Sequence, residues 1–203
     1  MAANAVAFVA ALPPGAPEPT ALHFDVEPHQ IWTVATMNAT ANDYLTMLDN
    51  VHAQLAGSGL AFYVDIPFHY DNKAILVGTT TQMLHQWVLA AVDGVTVMDY
   101  RDTATHIVNQ GQTIVTDAAT AGKSVVIGLM TTAASPTSTT FFEEGPVALE
   151  TAMALTTSTF EASATWTGFA VENYTGYVAL MHDFFPAFGV IQAQPACKSL
   201  SLP

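Results

Sequence analysis

The stretch Leu22-His23-Phe24-Asp25-Val26-Glu27-Pro28 decides how this chain reads. Successive side chains on a strand point to opposite faces. Leu22, Phe24 and Val26 therefore share one face, and His23, Asp25 and Glu27 share the other. The apolar face can pack on helices, which turns the acidic face inward, toward the axis of a barrel. Two carboxylates two residues apart on one face repel, so one of them is expected to hold its proton above the ordinary carboxylate range. A general acid working near neutral pH needs that property. The bland alternative is an N-cap or loop carboxylate pair.

Outward from this strand, the chain alternates. The Pro-rich run Pro13-Pro14-Gly15-Ala16-Pro17-Glu18-Pro19 before it cannot be helical. After it, Tyr44, Leu45, Leu48, Val51, His52 and Leu55 recur at helical spacing, and Gly57-Ser58-Gly59 stops that helix. Further strands are predicted over 60–66, 94–99, 124–130 and 168–173, and further helices over 80–92, 103–121, 143–158 and 177–185. Strands alternating with helices mean βα units and a parallel sheet. Strand starts near 22, 60, 94, 124 and 168 suit the roughly 31 residues per unit of a (β/α)8 barrel of about 250 residues. The expected fold is therefore α/β: a partial (β/α)8 TIM barrel with about strands four to eight and their helices, the N-terminal strands missing. Residues 1–19 form a helix remnant and the Pro-rich loop, 20–190 the partial barrel, and 191–203 a C-terminal tail.

Composition narrows the function. The chain has 203 residues, of which 51% are hydrophobic, enough for a packed core. Four Lys and Arg against 17 Asp and Glu give a net charge of −13. No basic surface exists to neutralise phosphates, so nucleic acid is excluded as a partner, and so is an anionic membrane surface. The lone Cys197 excludes a disulfide framework and a Cys-based zinc site. No glycine-rich phosphate turn follows a strand, so no nucleotide cofactor is expected. No run of about 18 apolar residues is present. The short apolar start, 5–12, resembles a signal-peptide core but lacks its positive n-region. An acidic, Lys-poor, Thr-rich surface suits a secreted or salt-tolerant protein. Two Asn-x-Thr sequons, at Asn38 and Asn173, match chance in a Thr-rich chain.

In a parallel barrel, chemistry sits at the C-terminal ends of the strands. Those ends carry Asp65, then Tyr100 with Arg101 and Asp102, then Glu172 with Tyr174. Arg101, the only guanidinium, is expected to pair with Asp99 or Asp102, with substrate contact as the alternative. Tyr63, Phe68, Tyr70, Tyr100, Trp166 and Tyr174 are core residues or sugar-stacking platforms.

A resemblance joins these observations. Asp25-x-Glu27, then Val97-Met98-Asp99-Tyr100, then 123–128 from Lys123 to Gly128, then Gly168-Phe169-Ala170-Val171 follow, in order, the second half of a family-18 glycoside hydrolase (chitinase-like) barrel. That family carries D-x-x-D-x-D-x-E on its fourth strand and M-x-Y-D on its sixth. The phrases around His23–Pro28, Asp65–Pro67, Met98–Arg101 and Phe141–Gly145 also resemble a set of bacterial barrel proteins distantly related to glycosidases. The likeness implies Glu27 as the acid that protonates the glycosidic oxygen, Asp25 as its orienting partner, and Tyr100 as the group holding an attacking acetamide. Asp65, Asp102, Arg101, Glu172 and Tyr174 are then substrate-binding candidates, and no metal or cofactor is implied. The chain departs from the pattern at Thr20 and His23, where the motif has Asp, and at Arg101, which puts the acidic partner one residue late at Asp102.

Three readings follow. The first is a glycosidase-like hydrolase acting on a polysaccharide or amino sugar. The second is a non-catalytic carbohydrate-binding or degenerate barrel protein, completed by a missing N-terminal half or by self-association. The third is a metal-dependent hydrolase with His23, Asp25, Glu27, His69 and Asp71 as ligands, although no H-x-H or H-E-x-x-H run is present. His52, His85 and His106, on helices, read as surface residues.

Overall fold

The computed structural model describes residues 2–184. The stretch 185–190 and the tail expected over 191–203 lie outside the described residues. Five parallel strands form one sheet: β1 (Ala21–Phe24), β2 (Ala61–Pro67), β5 (Gly94–Met98), β6 (Ser124–Leu129) and β7 (Trp166–Val171). A separate hairpin is made by β3 (Ala74–Val77) and β4 (Thr80–Met83). The helices are α1 (Ala2–Ala10), α2 (Met37–Leu55), α3 (Leu84–Ala91), α4 (Ala104–Ala121), α5 (Gly145–Phe160) and α6 (Tyr174–Phe184).

The large sheet runs β1-β2-β5-β6-β7, so each strand pairs with the one before it in the βα series and the order never reverses. Consecutive helices touch one another from α1 through α6. One face of the sheet is built from Phe62, Val64, Ile66, Val95, Val97, Val125, Ile127 and Leu129, all buried. Registers Leu22↔Phe62 and Phe24↔Val64 place the apolar side of β1 on this face, with the Phe24 and Phe62 rings edge to face at 5.7 Å. The opposite face carries His23, Tyr63, Asp65, Met98 and Val126, which are half-buried or exposed. The alternation read from 22–28 therefore sorts β1 as expected. Tyr63 needs Gly94 beside it on this face: a Cβ at Gly94 would stand 2.6 Å from the Tyr63 ring and 2.7 Å from the Ser124 carbonyl oxygen.

The helix expected over 80–92 begins only at Leu84. Its first residues form β4 instead, because Thr80 and Thr81 are β-branched and Gly78, at φ 59°, supplies the first position of a two-residue hairpin turn. Asn38 clamps the hairpin to α2: its Oδ1 accepts from the Leu76 amide at 2.8 Å and its Nδ2 donates to the Leu76 carbonyl at 3.2 Å. The Trp87 indole donates to the Ile75 carbonyl at 3.1 Å. Asn173 is engaged too, its Oδ1 accepting from the Gly176 amide at the start of α6. His85 corrects its surface reading. It sits on the inward side of α3, 1% exposed, and its Nε2–H donates to Asp117 Oδ2 at 2.7 Å. Among the described residues no helix is long and apolar enough to cross a membrane.

Candidate functional site

A cleft of about 300 Å³ opens on the half-buried face of the sheet toward its C-terminal end. His23, Asp25, Asp65, Thr96, Met98, Tyr100, Gly128, Ala170, Val171 and Glu172 line it. All five parallel strands, or the residues just beyond them, contribute. The register explains the convergence: Asp65 pairs with Thr96, Met98 with Gly128 and Gly128 with Ala170, so these residues form rows across the sheet. Four sequence-derived candidates, Asp25, Asp65, Tyr100 and Glu172, meet here.

His23 and Asp65 form the tightest pair in the cleft, with the His23 Nε2–H donating to Asp65 Oδ1 at 2.9 Å. That bond, helped by the charges of Asp65 and Asp25 and opposed by burial, holds the His23 imidazolium above its ordinary range. The Asp25 carboxyl is shifted upward, first by burial and then by the charges of Glu27 and Asp65, while His23 and His29 pull it back. Tyr100 is pushed up to about 12, by burial first and then by Glu172, Asp65, Asp25 and Glu27. Glu172 accepts from the Thr132 hydroxyl at 3.3 Å on the rim.

Glu27 does not line the cleft with Asp25. β1 ends at Phe24, and Pro28, which lacks an amide proton, opens a 3-10 turn over Pro28–Gln30 with Glu27 at its cap. The turn folds His29 back, so that its Nε2 stands 3.2 Å from Glu27 Oε2. The buried Tyr70 hydroxyl is hydrogen-bonded to His29 Nδ1 at 3.4 Å, completing a Glu27–His29–Tyr70 chain. Trp32, His69 and Tyr70 surround His29, with ring centroids 5.3 to 6.3 Å from it. Burial, with His29 and Lys73 nearby, drops His69 to about 4. The sequence reading missed His29, and it took Tyr70 only as core or a stacking platform, not as a partner of His29. Residue 29 continues the period-two alternation of 23, 25 and 27, which is the signal that could have flagged it.

Arg101 pairs with neither Asp99 nor Asp102. Its Nη1 donates to the Tyr100 carbonyl at 2.6 Å and its guanidinium stands 4.9 Å from the centre of the Phe68 ring. Asp102 is half-buried in the loop before α4 and Tyr174 is 75% exposed at the start of α6, and neither lines the cleft. Among the aromatic candidates, Tyr70 is core, Trp166 packs against Phe160 and Phe169, and Phe68 supports Arg101. Asp99 is fully buried, with no hydrogen-bond partner for either carboxyl oxygen among the described residues, and burial pushes it to about 8 against the pull of Arg101. Among the described residues no group of three or more His, Cys, Asp or Glu side chains is placed to hold a metal ion, so the set His23, Asp25, Glu27, His69 and Asp71 is not gathered into one site. Compared with protein-family models, curated proteins and solved structures, the chain matches none of them.

Proposed function

We propose that this chain is a glycoside hydrolase-like protein that cleaves a polysaccharide or amino-sugar glycosidic bond by acid catalysis at its strand ends. The convergence of Asp25, Asp65, Tyr100 and Glu172 on one cleft carries the reading. In this reading Glu27, turned from His29 into the cleft, protonates the glycosidic oxygen, and Asp25, which keeps its proton beyond the ordinary carboxylate range, orients the sugar and the acid. Tyr100 stays a neutral hydrogen-bond donor at physiological pH and holds an acetamide oxygen as it approaches the anomeric carbon. Asp65 and Glu172 bind sugar hydroxyls, and Arg101, Asp102 and Tyr174 serve the rim. The unreversed strand order supports reading the sheet as about strands four to eight of a (β/α)8 barrel.

A second reading, a non-catalytic carbohydrate-binding protein, is favoured by one observation: Glu27 is drawn to His29 instead of lining the cleft. The Glu27→Gln variant separates the two. The hydrolase reading expects turnover of an N-acetylhexosaminide by the wild type and a loss of about 10²–10⁴-fold in the variant, the usual contribution of a general acid. Equal binding by both proteins, with turnover by neither, establishes the binding reading instead.

A further inference from the structure

We propose that His23, held by Asp65, is a general base in the cleft, so that this chain activates a water itself instead of depending on a substrate acetamide. The inference rests on the glycosidase reading and changes its second half. With Nε2–H committed to Asp65 Oδ1 at 2.9 Å, the lone pair of the neutral imidazole is on Nδ1. Among the described residues no hydrogen bond occupies Nδ1, and the His23 side chain is 44% exposed where it lines the cleft. The carboxylate fixes the tautomer and stabilises the imidazolium that forms, the arrangement by which a third group orients a base.

The surroundings fit a base. The ionisable groups facing His23 are Asp25 just past the end of its own strand, Asp65 and Tyr63 on β2, Tyr100 beyond β5 and Glu172 beyond β7. Among the described residues no Lys or Arg lines the cleft to compete for the carboxylates or to repel an imidazolium. Where the family-18 motif has a carboxylate, this chain therefore has an imidazole with its own carboxylate partner on the neighbouring strand.

The step balances without a co-reactant other than water. Nδ1 of His23 removes a proton from the water. The water oxygen bonds to the anomeric carbon as the bond from that carbon to the glycosidic oxygen breaks, and Glu27, turned from His29 into the cleft, gives its proton to the departing oxygen. His23 then releases its proton to solvent and Glu27 regains one. An acetamide on the sugar is dispensable, because no substrate atom serves as the nucleophile.

The test uses the full chain with two probes, 4-nitrophenyl N-acetyl-β-glucosaminide and 4-nitrophenyl β-glucoside, on wild type, His23→Ala, His23→Asn and Asp65→Asn, with folding checked by circular dichroism. The wild type is expected to cleave both, with kcat rising with pH along a limb above 6.5, where neutral His23 forms. Each His23 variant should lose about 10²–10⁴-fold on the glucoside, and added imidazole should restore part of the His23→Ala loss. Asp65→Asn should move the limb to lower pH, since the bond and charge that raise His23 are gone. Glucoside turnover and a pH limb retained by His23→Asn would overturn the inference and leave the glycosidase reading standing, as would cleavage confined to the N-acetyl probe. No turnover of either probe by the wild type overturns the glycosidase reading and the inference with it.

Discussion

Asp99 is buried directly against Gly111: a Cβ on that glycine would stand 3.3 Å from Asp99 Oδ2. The helix surface it meets therefore offers the carboxyl no side chain to bond. The unfolded chain ionises this group near 3.8, while the fold holds the proton to about 8. A raised carboxyl favours the fold most below pH 3.8, and that advantage falls away as pH rises to about 8. The slope is roughly 1.4 kcal/mol per pH unit across that window. Asp99→Asn, neutral throughout, should remove this slope and gain relative stability toward pH 8. Urea unfolding of both proteins at pH 5 and pH 8 measures it, and an equal difference at the two pH values would count against a protonated Asp99.

The Asp25 carboxyl offers a second titration, readable by carbon NMR without any substrate. Glu27 and Asp65 raise its midpoint and His23 lowers it. Glu27→Gln and Asp65→Asn should each move the midpoint down, and His23→Asn should move it further up. A midpoint unmoved by all three would mean that the cleft carboxylates do not share a field.

Gly94→Ala is expected to cost about 1–3 kcal/mol, the range for overpacking a filled site. The new methyl would meet the Tyr63 ring at 2.6 Å and the Ser124 carbonyl at 2.7 Å, and the second of these is backbone. Trimming Tyr63 to Ala in the same protein should therefore recover only part of the loss. Thermal melting of the single and double variants checks this.

Asn38→Ala should loosen the small hairpin while leaving the main sheet intact. Two bonds from Asn38 hold the Leu76 peptide, and each is worth about 1 kcal/mol. Amide exchange across β3 and β4 should accelerate by tenfold or more. Unchanged protection at the Leu76 amide would show that the third bond to Leu76, from Asn42 Nδ2 to its carbonyl at 3.0 Å, suffices to hold the loop.

Much of this architecture was legible in the chain, for identifiable reasons. Period-two alternation at 22–24 and the apolar run at 124–130 placed β1 and β6, because each strand's buried face is nearly pure hydrocarbon. The β3–β4 hairpin was not legible, since Met83 and Leu84 extend the helical periodicity of Trp87 and Val88 back over residues whose backbone is extended. Asp25, Asp65, Tyr100 and Glu172 were found by their positions at strand ends, which topology alone brings together. Glu27 was placed beside Asp25 by carrying the alternation past the true end of the strand, and Pro28 is the local signal that it stops. The Arg101 stack on Phe68 was hidden because its partner comes from a different strand end, well away in sequence.

The cleft lining is drawn from β1, β2, β5, β6 and β7, a span from His23 to Glu172. No single βα unit owns it. A local opening that frees one strand therefore dismantles the site as surely as complete unfolding does. A ligand held there draws its affinity from the assembled sheet, so it should protect the slowest-exchanging amides of the central strands and not merely the rim loops. Occupancy and global stability are thus a single coupled quantity in this protein, and a shift in melting temperature on adding sugar is a direct assay for what the cleft accepts.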